Sequence, residues 1–318
     1  LGDGSYDFKD RLNHGLANYL PPYLAEDFDP HWGGQSGSDH VFANESRIPP
    51  SVMVGRIPAR TNDQALQYVN KVIRYEKAAA TTWSLKAIAA ADDPDERDYG
   101  GGQTITFSFD ELAEEAIQAM LATGVVTGPE VRRVYQAAHN SPPQGYYHND
   151  GDEDTKALLA LWRSGSLITY FAGHSHYWGW AFPKLFNTDD LDVLGTTPYT
   201  VVVGMTCFTG VFYHPAAPSL DEALILTPSG GAVAAFTPLG MGSAAGHRTM
   251  QGALLQAVLQ DKPLGEALLA AKLALDYHHR DLIDTYGILG DPALKLGGAP
   301  SKVEFTTTLP LVLMAGSG

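Results

Sequence analysis

The chain is almost without cysteine. A single one, Cys207, stands among 318 residues, which excludes an internal disulfide and any cluster of thiolate metal ligands. No apolar run reaches the ~18 residues that a membrane-spanning helix needs. Positive charge is scarce too: 21 Lys and Arg stand against 36 Asp and Glu, a formal charge of -15. A surface of that sign disfavours nonspecific contact with nucleic acid or anionic membrane, so no nucleic acid partner is expected. Internal repeats and low-complexity tracts are missing, and Gly100-Gly101-Gly102 lacks the Gly-Lys-Ser/Thr ending of a phosphate loop. The start at Leu1-Gly2-Asp3 has neither Met nor a charged-then-apolar leader. That start leads us to expect a piece of a longer, multidomain protein.

What is present describes an ordinary globular chain, with 44% hydrophobic and 10% aromatic residues. Its length suits one large or two medium α/β domains. Leu1 to Phe8 reads as a strand end running into a turn, His40 to Ala43 as a short strand, and Val52 to Pro58 as a strand stopped by proline. Thr61 with Gln64 three residues on makes a capping-box start, and the apolar period from Ala65 to Tyr75 predicts a helix to about Glu76. From Trp83 strands and helices alternate. Strands are expected at Leu85–Ala91, Val131–Gln136, Leu167–Ala172, Tyr199–Met205 and Ala232–Phe236. Helices are expected at Asp110–Thr123, Asp152–Arg163, Ser219–Leu226, Ala244–Gln260 and Leu264–Tyr277, ahead of an apolar segment from Gly287 to Leu296. This alternation predicts an α/β, doubly wound, mainly parallel sheet with helices on both faces.

Two of those strands organise the rest. Leu167–Ala172 exits into Gly173-His174-Ser175-His176, and Tyr199–Met205 exits into Thr206-Cys207-Phe208-Thr209-Gly210. In an open α/β sheet, reactive groups gather beyond the carboxyl ends of the strands. A Cys/His dyad is therefore expected, with His174 promoting ionisation of Cys207 and returning a proton to the leaving group. A lone cysteine is more often a buried, inert thiol, but the paired exits reverse that preference. The same Gly-His-Ser-His tetrad has a metal reading, since Gly-His-x-His turns occur in calcineurin-like phosphoesterases and Leu1-Gly2-Asp3-Gly4 resembles their Gly-Asp turn. The other ligand turns of that family are not found, and Cys207 has no place in it. His247 is a further candidate for the cleft, although a helix-lining role accounts for it better. Asp3 and Asp7, with Gly2 and Gly4, offer oxygen ligands for calcium, and a tight turn explains them as well.

Taken in order, these residues resemble the gingipain family of cysteine peptidases, in the caspase-like clan. The resemblance is carried by Gly2-Asp3-Gly4-Ser5-Tyr6-Asp7, Ser38-Asp39-His40, Val54-Gly55-Arg56-Ile57-Pro58, Ala90-Ala91-Asp92-Asp93, Tyr170-Phe171-Ala172-Gly173-His174 with Trp180, Thr206-Cys207 with Gly210, Asp221-Glu222-Ala223-Leu224, Gly230 to Ala234 and Leu289 to Leu294. It implies a smaller N-terminal α/β subdomain (1–82, shortened at its front), a caspase-like catalytic subdomain (83–298) and a C-terminal tail or linker (299–318). It implies Cys207 as nucleophile, His174 as general base and acid, the backbone N–H groups of Ser175 and Cys207 as oxyanion donors, and Asp92 or Asp93 as the acid that orients the histidine. Phe109, Asp110 and Trp180 fall at the substrate pocket. An apolar pocket follows if Phe109 fills the specificity position, and one for Arg or Lys if Asp110 does. Ser175 departs from the family's usual glycine after the histidine, and its Cβ restricts the turn. The implied activity is that of a secreted or cell-surface cysteine endopeptidase acting on proteins or peptides, with no cofactor required for chemistry and structural calcium as a possible addition. A non-catalytic pseudo-peptidase binding module is the alternative from another class, followed by a metal-dependent phosphoesterase.

Overall fold

Short runs rich in Val, Ile, Ala and Tyr, buried on both faces, are what a parallel sheet covered by helices requires. The computed structural model describes residues 1–15, 18–26, 34–43, 52–78, 83, 85–98, 104–136, 146–147 and 151–297. Among these, seven strands form the central sheet: β1 (Leu85–Ala91), β2 (Val131–Tyr135), β3 (Tyr146–Tyr147), β4 (Ser166–Ala172), β5 (Thr200–Met205), β6 (Ala232–Pro238) and β7 (Tyr286–Leu289). Their spatial order is β7-β6-β5-β4-β1-β2-β3. All neighbours run parallel except β6 and β7, which are antiparallel. The tail beyond residue 297 lies outside the described residues, as do Gly100-Gly101-Gly102 and most of the expected linker before Trp83.

Alternate residues of each strand serve two cores, as the two-residue period dictates. On one face Ile168, Tyr170, Val201 and Val203 meet helices α2 (Phe109–Ala122), α5 (Ala244–Leu259) and α6 (Leu264–Ala274) through Leu112, Met120, Leu254 and Ala267. On the other, Phe171, Val202 and Ala235 meet α3 (Gly151–Ser164) and α4 (Leu220–Leu226) through Trp162 and Leu224. Helix α1 (Asn62–Lys77) starts as its sequence predicts, with Thr61 Oγ1 accepting the Gln64 N–H at 3.1 Å. Tyr68 of that helix fastens it to the sheet by donating to the Val233 carbonyl at 3.0 Å.

The register fixes the level of the strand ends. Ala91 pairs with Ala172, and Ala172 pairs with Met205. Asp92, Gly173 and Thr206 consequently follow residues at one level, on three adjacent strands.

The N-terminal region differs from its expectation in three places. Leu1 to Phe8 is an extended loop, not a strand, pinned by Gly2 N–H to the Ile57 carbonyl at 3.0 Å and Asp3 N–H to that of Ala59 at 3.1 Å. His40–Phe42 is a single helical turn, and the strand falls just before it at Gln35–Ser38, antiparallel to Tyr23–Glu26. A four-residue apolar run does not by itself distinguish the two states. Val52 to Pro58 reduces to one parallel bridge, Arg56 to Leu289, beside the sheet edge. Two small sheets went unread: the hairpin Asp95–Asp98 with Thr104–Phe107, and three two-residue strands at Ser175–His176, Gly179–Trp180 and Phe186–Asn187.

Candidate active site

Gly173 begins the turn that carries His174. A Cβ there would stand 2.3 Å from the Asp92 Cβ and 2.7 Å from the Phe171 ring, so only glycine lets strand β4 leave the sheet this close to β1. Asp92, itself 1% exposed, then grips the turn from the neighbouring strand. Its Oδ2 accepts the His174 main-chain N–H at 2.8 Å, and its Oδ1 accepts the Asp93 N–H at 2.8 Å. Burial pushes the Asp92 carboxyl up to about 7, against the pull of those N–H groups. The acid expected to orient the histidine thus reaches it through the backbone. Asp93 is half-buried and is raised more simply, by burial alone.

The cysteine leaves its strand through a second tight turn. Phe208, directly after it, has φ +59°, a left-handed conformation costing on the order of 1–2 kcal/mol for a residue with a Cβ. The Phe208 N–H holds the turn by donating to the Gly240 carbonyl at 2.9 Å. Cys207 is half-buried, and its thiol lies 3.8 Å from the Gly242 carbonyl oxygen, which accepts its weak hydrogen bond. Thr206 ties the two exits together: its Oγ1 lies 2.6 Å from the Gly173 carbonyl and 2.7 Å from Ser175 Oγ. Ser175 Oγ also accepts the Cys207 N–H at 3.2 Å and touches the Cys207 carbonyl oxygen. The histidine loop and the cysteine loop are therefore in direct contact.

The remaining candidates separate. Phe109, buried at the start of α2, stands edge-on to the His174 ring with centroids 5.1 Å apart. Asp110 is buried next to it, and its Oδ1 has no hydrogen-bond partner among the described residues. Trp180 is fully buried, stacked on Phe171 at 4.7 Å within the core, with its side chain turned inward from the short strand Gly179–Trp180. His176 packs between Trp178 and Phe182, at 4.3 and 3.9 Å between centroids, and burial lowers its pKa. His247 is buried beneath Gly242, lowered to about 3 by burial and then by His279, and its Nε2 has no hydrogen-bond partner among the described residues. Among the described residues, no three His, Cys, Asp or Glu side chains are grouped as a metal-ligand set. The calcium reading does not fit Asp3 and Asp7. Asp3 pairs with Arg60 at 2.5 Å and caps Gly4 at 2.9 Å, while Asp7 accepts the Arg11 and Leu12 N–H groups at 2.9 and 2.7 Å.

A mainly parallel sheet flanked by helices, with loops from β1, β4 and β5 converging at its carboxyl edge, makes this a doubly wound α/β protein. The chain belongs to peptidase family C25, whose sequence profile matches residues 1–297. Solved structures agree on the fold. The Arg-specific cysteine proteinase gingipain R is 16% identical, covers 93% of this chain and superposes with a TM-score of 0.68. The complex of the Porphyromonas gingivalis RgpB pro- and mature domains gives the same identity, cover of this chain and score. A third structure, described only as a protease, is 15% identical over 86% of this chain with a TM-score of 0.60. This chain spans 62%, 64% and 61% of the lengths of those three. A search of curated protein sequences found no match.

Proposed function

We propose that this chain hydrolyses peptide bonds through a Cys207 acyl-enzyme. The observation that carries the reading is the shared strand-end level from which Asp92, His174 and Cys207 emerge, joined by the Asp92–His174 and Ser175–Cys207 hydrogen bonds. In the forward step the Cys207 proton passes to the His174 imidazole, and Sγ forms a bond to the scissile carbonyl carbon. The carbonyl π pair moves onto oxygen, where backbone N–H donors stabilise it. Collapse breaks the C–N bond, and the amine departs with the proton held by His174. Water then attacks the thioester, giving up a proton to His174, and the acid product and free thiol are released.

Phe109 supports an apolar wall beside His174, and we read the residue before the cleaved bond as apolar or aromatic. Intact mass after incubation with peptidyl acyloxymethyl ketones bearing Arg, Lys, Leu or Phe at that position tests both points. One adduct, lost in Cys207→Ala and in His174→Ala, is expected, fastest with Leu or Phe. Preference for Arg or Lys would instead assign specificity to the unpartnered Asp110 carboxyl oxygen. Failure of every probe on the folded protein would favour a non-catalytic binding module, the reading encouraged by the engagement of the Cys207 N–H with Ser175. The described helices include none long and apolar enough to cross a membrane. We assign the protein to the secreted or cell-surface peptidases, which fractionation of the producing cells would check.

A further inference from the structure

The Cys207 N–H is directed at an oxygen atom of the protein itself. Ser175 Oγ accepts it at 3.2 Å, so the group expected to stabilise a developing oxyanion is occupied in the resting molecule. The hydroxyl proton of Ser175 is not free to compensate. Three oxygen contacts run in a chain from the Gly173 carbonyl through Thr206 Oγ1 and Ser175 Oγ to the Cys207 carbonyl. Two hydroxyl protons serve those three contacts, since each hydroxyl supplies one and the carbonyls supply none. Whichever way they are arranged, both protons lie along the chain, and Ser175 presents a lone pair to the Cys207 N–H.

We propose that Ser175 Oγ is a built-in competitor for the oxyanion donor, which an incoming substrate carbonyl must displace before Cys207 can acylate. The inference rests on the peptidase reading above and adds to it an intramolecular brake. A lone pair standing where negative charge develops repels that charge, so the hydroxyl opposes the reaction instead of assisting it. Displacement needs a change of Ser175 rotamer, which trades its contacts with the Cys207 N–H, Thr206 and the Cys207 carbonyl for contacts with water and leaves a net cost of about one neutral hydrogen bond. Such a bond contributes a modest net free energy, corresponding to a factor of roughly 5 in an equilibrium.

Ser175→Ala removes the oxygen and keeps the Cβ. A reversible peptide aldehyde, whose hemithioacetal oxygen takes the oxyanion position, is expected to bind about fivefold tighter to Ser175→Ala than to the unaltered protein, with kcat/KM raised by a similar factor. Alkylation by iodoacetamide, which needs the thiol and no oxyanion donor, is expected to stay within about twofold in both proteins. Should Ser175→Ala lose the fold, Ser175→Gly removes the same oxygen together with the Cβ and is read by the same aldehyde-to-iodoacetamide ratio. A folded variant without the hydroxyl that binds the aldehyde no better than the unaltered protein, or more weakly, overturns the proposal. A weaker complex would mark Ser175 as a donor. Failure of the peptidase reading is separately visible, as aldehyde binding or turnover that survives Cys207→Ala.

Discussion

The carboxyl edge of the sheet and the seam beneath the N-terminal segment both bury acids, and they hold them by different means. At the edge, Asp92 faces main-chain N–H groups of His174 and Asp93 and is raised to about 7. In the seam, Asp39 receives the Arg56 guanidinium on both oxygens, at 2.6 and 2.5 Å, and Asp3 receives Arg60. Apart from that seam, Lys71 of α1 caps α4 by donating to the carbonyls of Leu224, Ile225 and Ala232 at 3.1, 2.6 and 3.0 Å. A cation fixes a carboxylate as a charged strut, whereas a pair of N–H groups ties its position to a loop that must be aimed. The edge is built for alignment, and the seam for cohesion.

If that contrast holds, removing the cation from the seam has the largest effect on stability. Arg56 is 2% exposed, lies 4.0 Å over the Phe212 ring, and also donates to the carbonyls of Gly2 and Leu20 at 2.9 and 3.0 Å. Arg56→Met keeps much of the volume but leaves Asp39 buried and charged without its partner. A loss of about 3–5 kcal/mol is expected by urea unfolding, and adding Asp39→Asn should return part of it. A change below about 1 kcal/mol would show that the pair is not a strut.

At the edge the larger effect should fall on rate. Asp92→Asn presents one carbonyl oxygen where two main-chain N–H groups need acceptors, so one of the grips on the His174 turn is lost. We expect kcat to fall about 10- to 100-fold, the range that a displaced catalytic group produces, with KM little altered and unfolding free energy changed by under about 2 kcal/mol. Loss of stability comparable to that of Arg56→Met, with kcat of the folded fraction intact, would erase the distinction between the two regions.

The two regions also differ in how far they can be read from sequence. Strand ends are legible because each is announced locally: Ala90-Ala91-Asp92, Ala172-Gly173-His174 and Met205-Thr206-Cys207 all show an apolar run stopping at a polar or glycine turn. Parallel order then brings them together without knowledge of any side-chain contact. The role of Thr206 was not legible, since it depends on a partner 31 residues away, at Ser175. Nor was the inward turn of Trp180, which follows from a two-residue strand too short to show a period. In the seam, the local sequence places Arg56 in a strand ending at Pro58. Its true setting joins residues 2, 20, 39 and 212, none near it in sequence.

The smallest effect sharpens the comparison most, because it depends on pH alone. Glu222 lies in the seam with its cation at longer range: Arg60 Nη2 is 3.7 Å away, while Ser219 donates its N–H and hydroxyl at 2.8 and 3.0 Å. Burial first and the charge of Asp3 second raise its carboxyl from 4.5 to about 8. Between those values the folded chain keeps a proton that the unfolded chain has released. Stability from this group is therefore full below the unfolded value and is lost as pH rises to the folded one. Glu222→Gln keeps an acceptor for Ser219 and cannot ionise. Its unfolding free energy should match that of the unaltered protein near pH 4.5 and exceed it by on the order of 2 kcal/mol near pH 9, discounted for the nearby Arg60 charge. Asp92 and Asp221, both raised to about 7, leave a residual slope of the same sign in each protein. A variant less stable at high pH would mean that Arg60 holds Glu222 as a charged strut after all, and that the seam treats its acids alike.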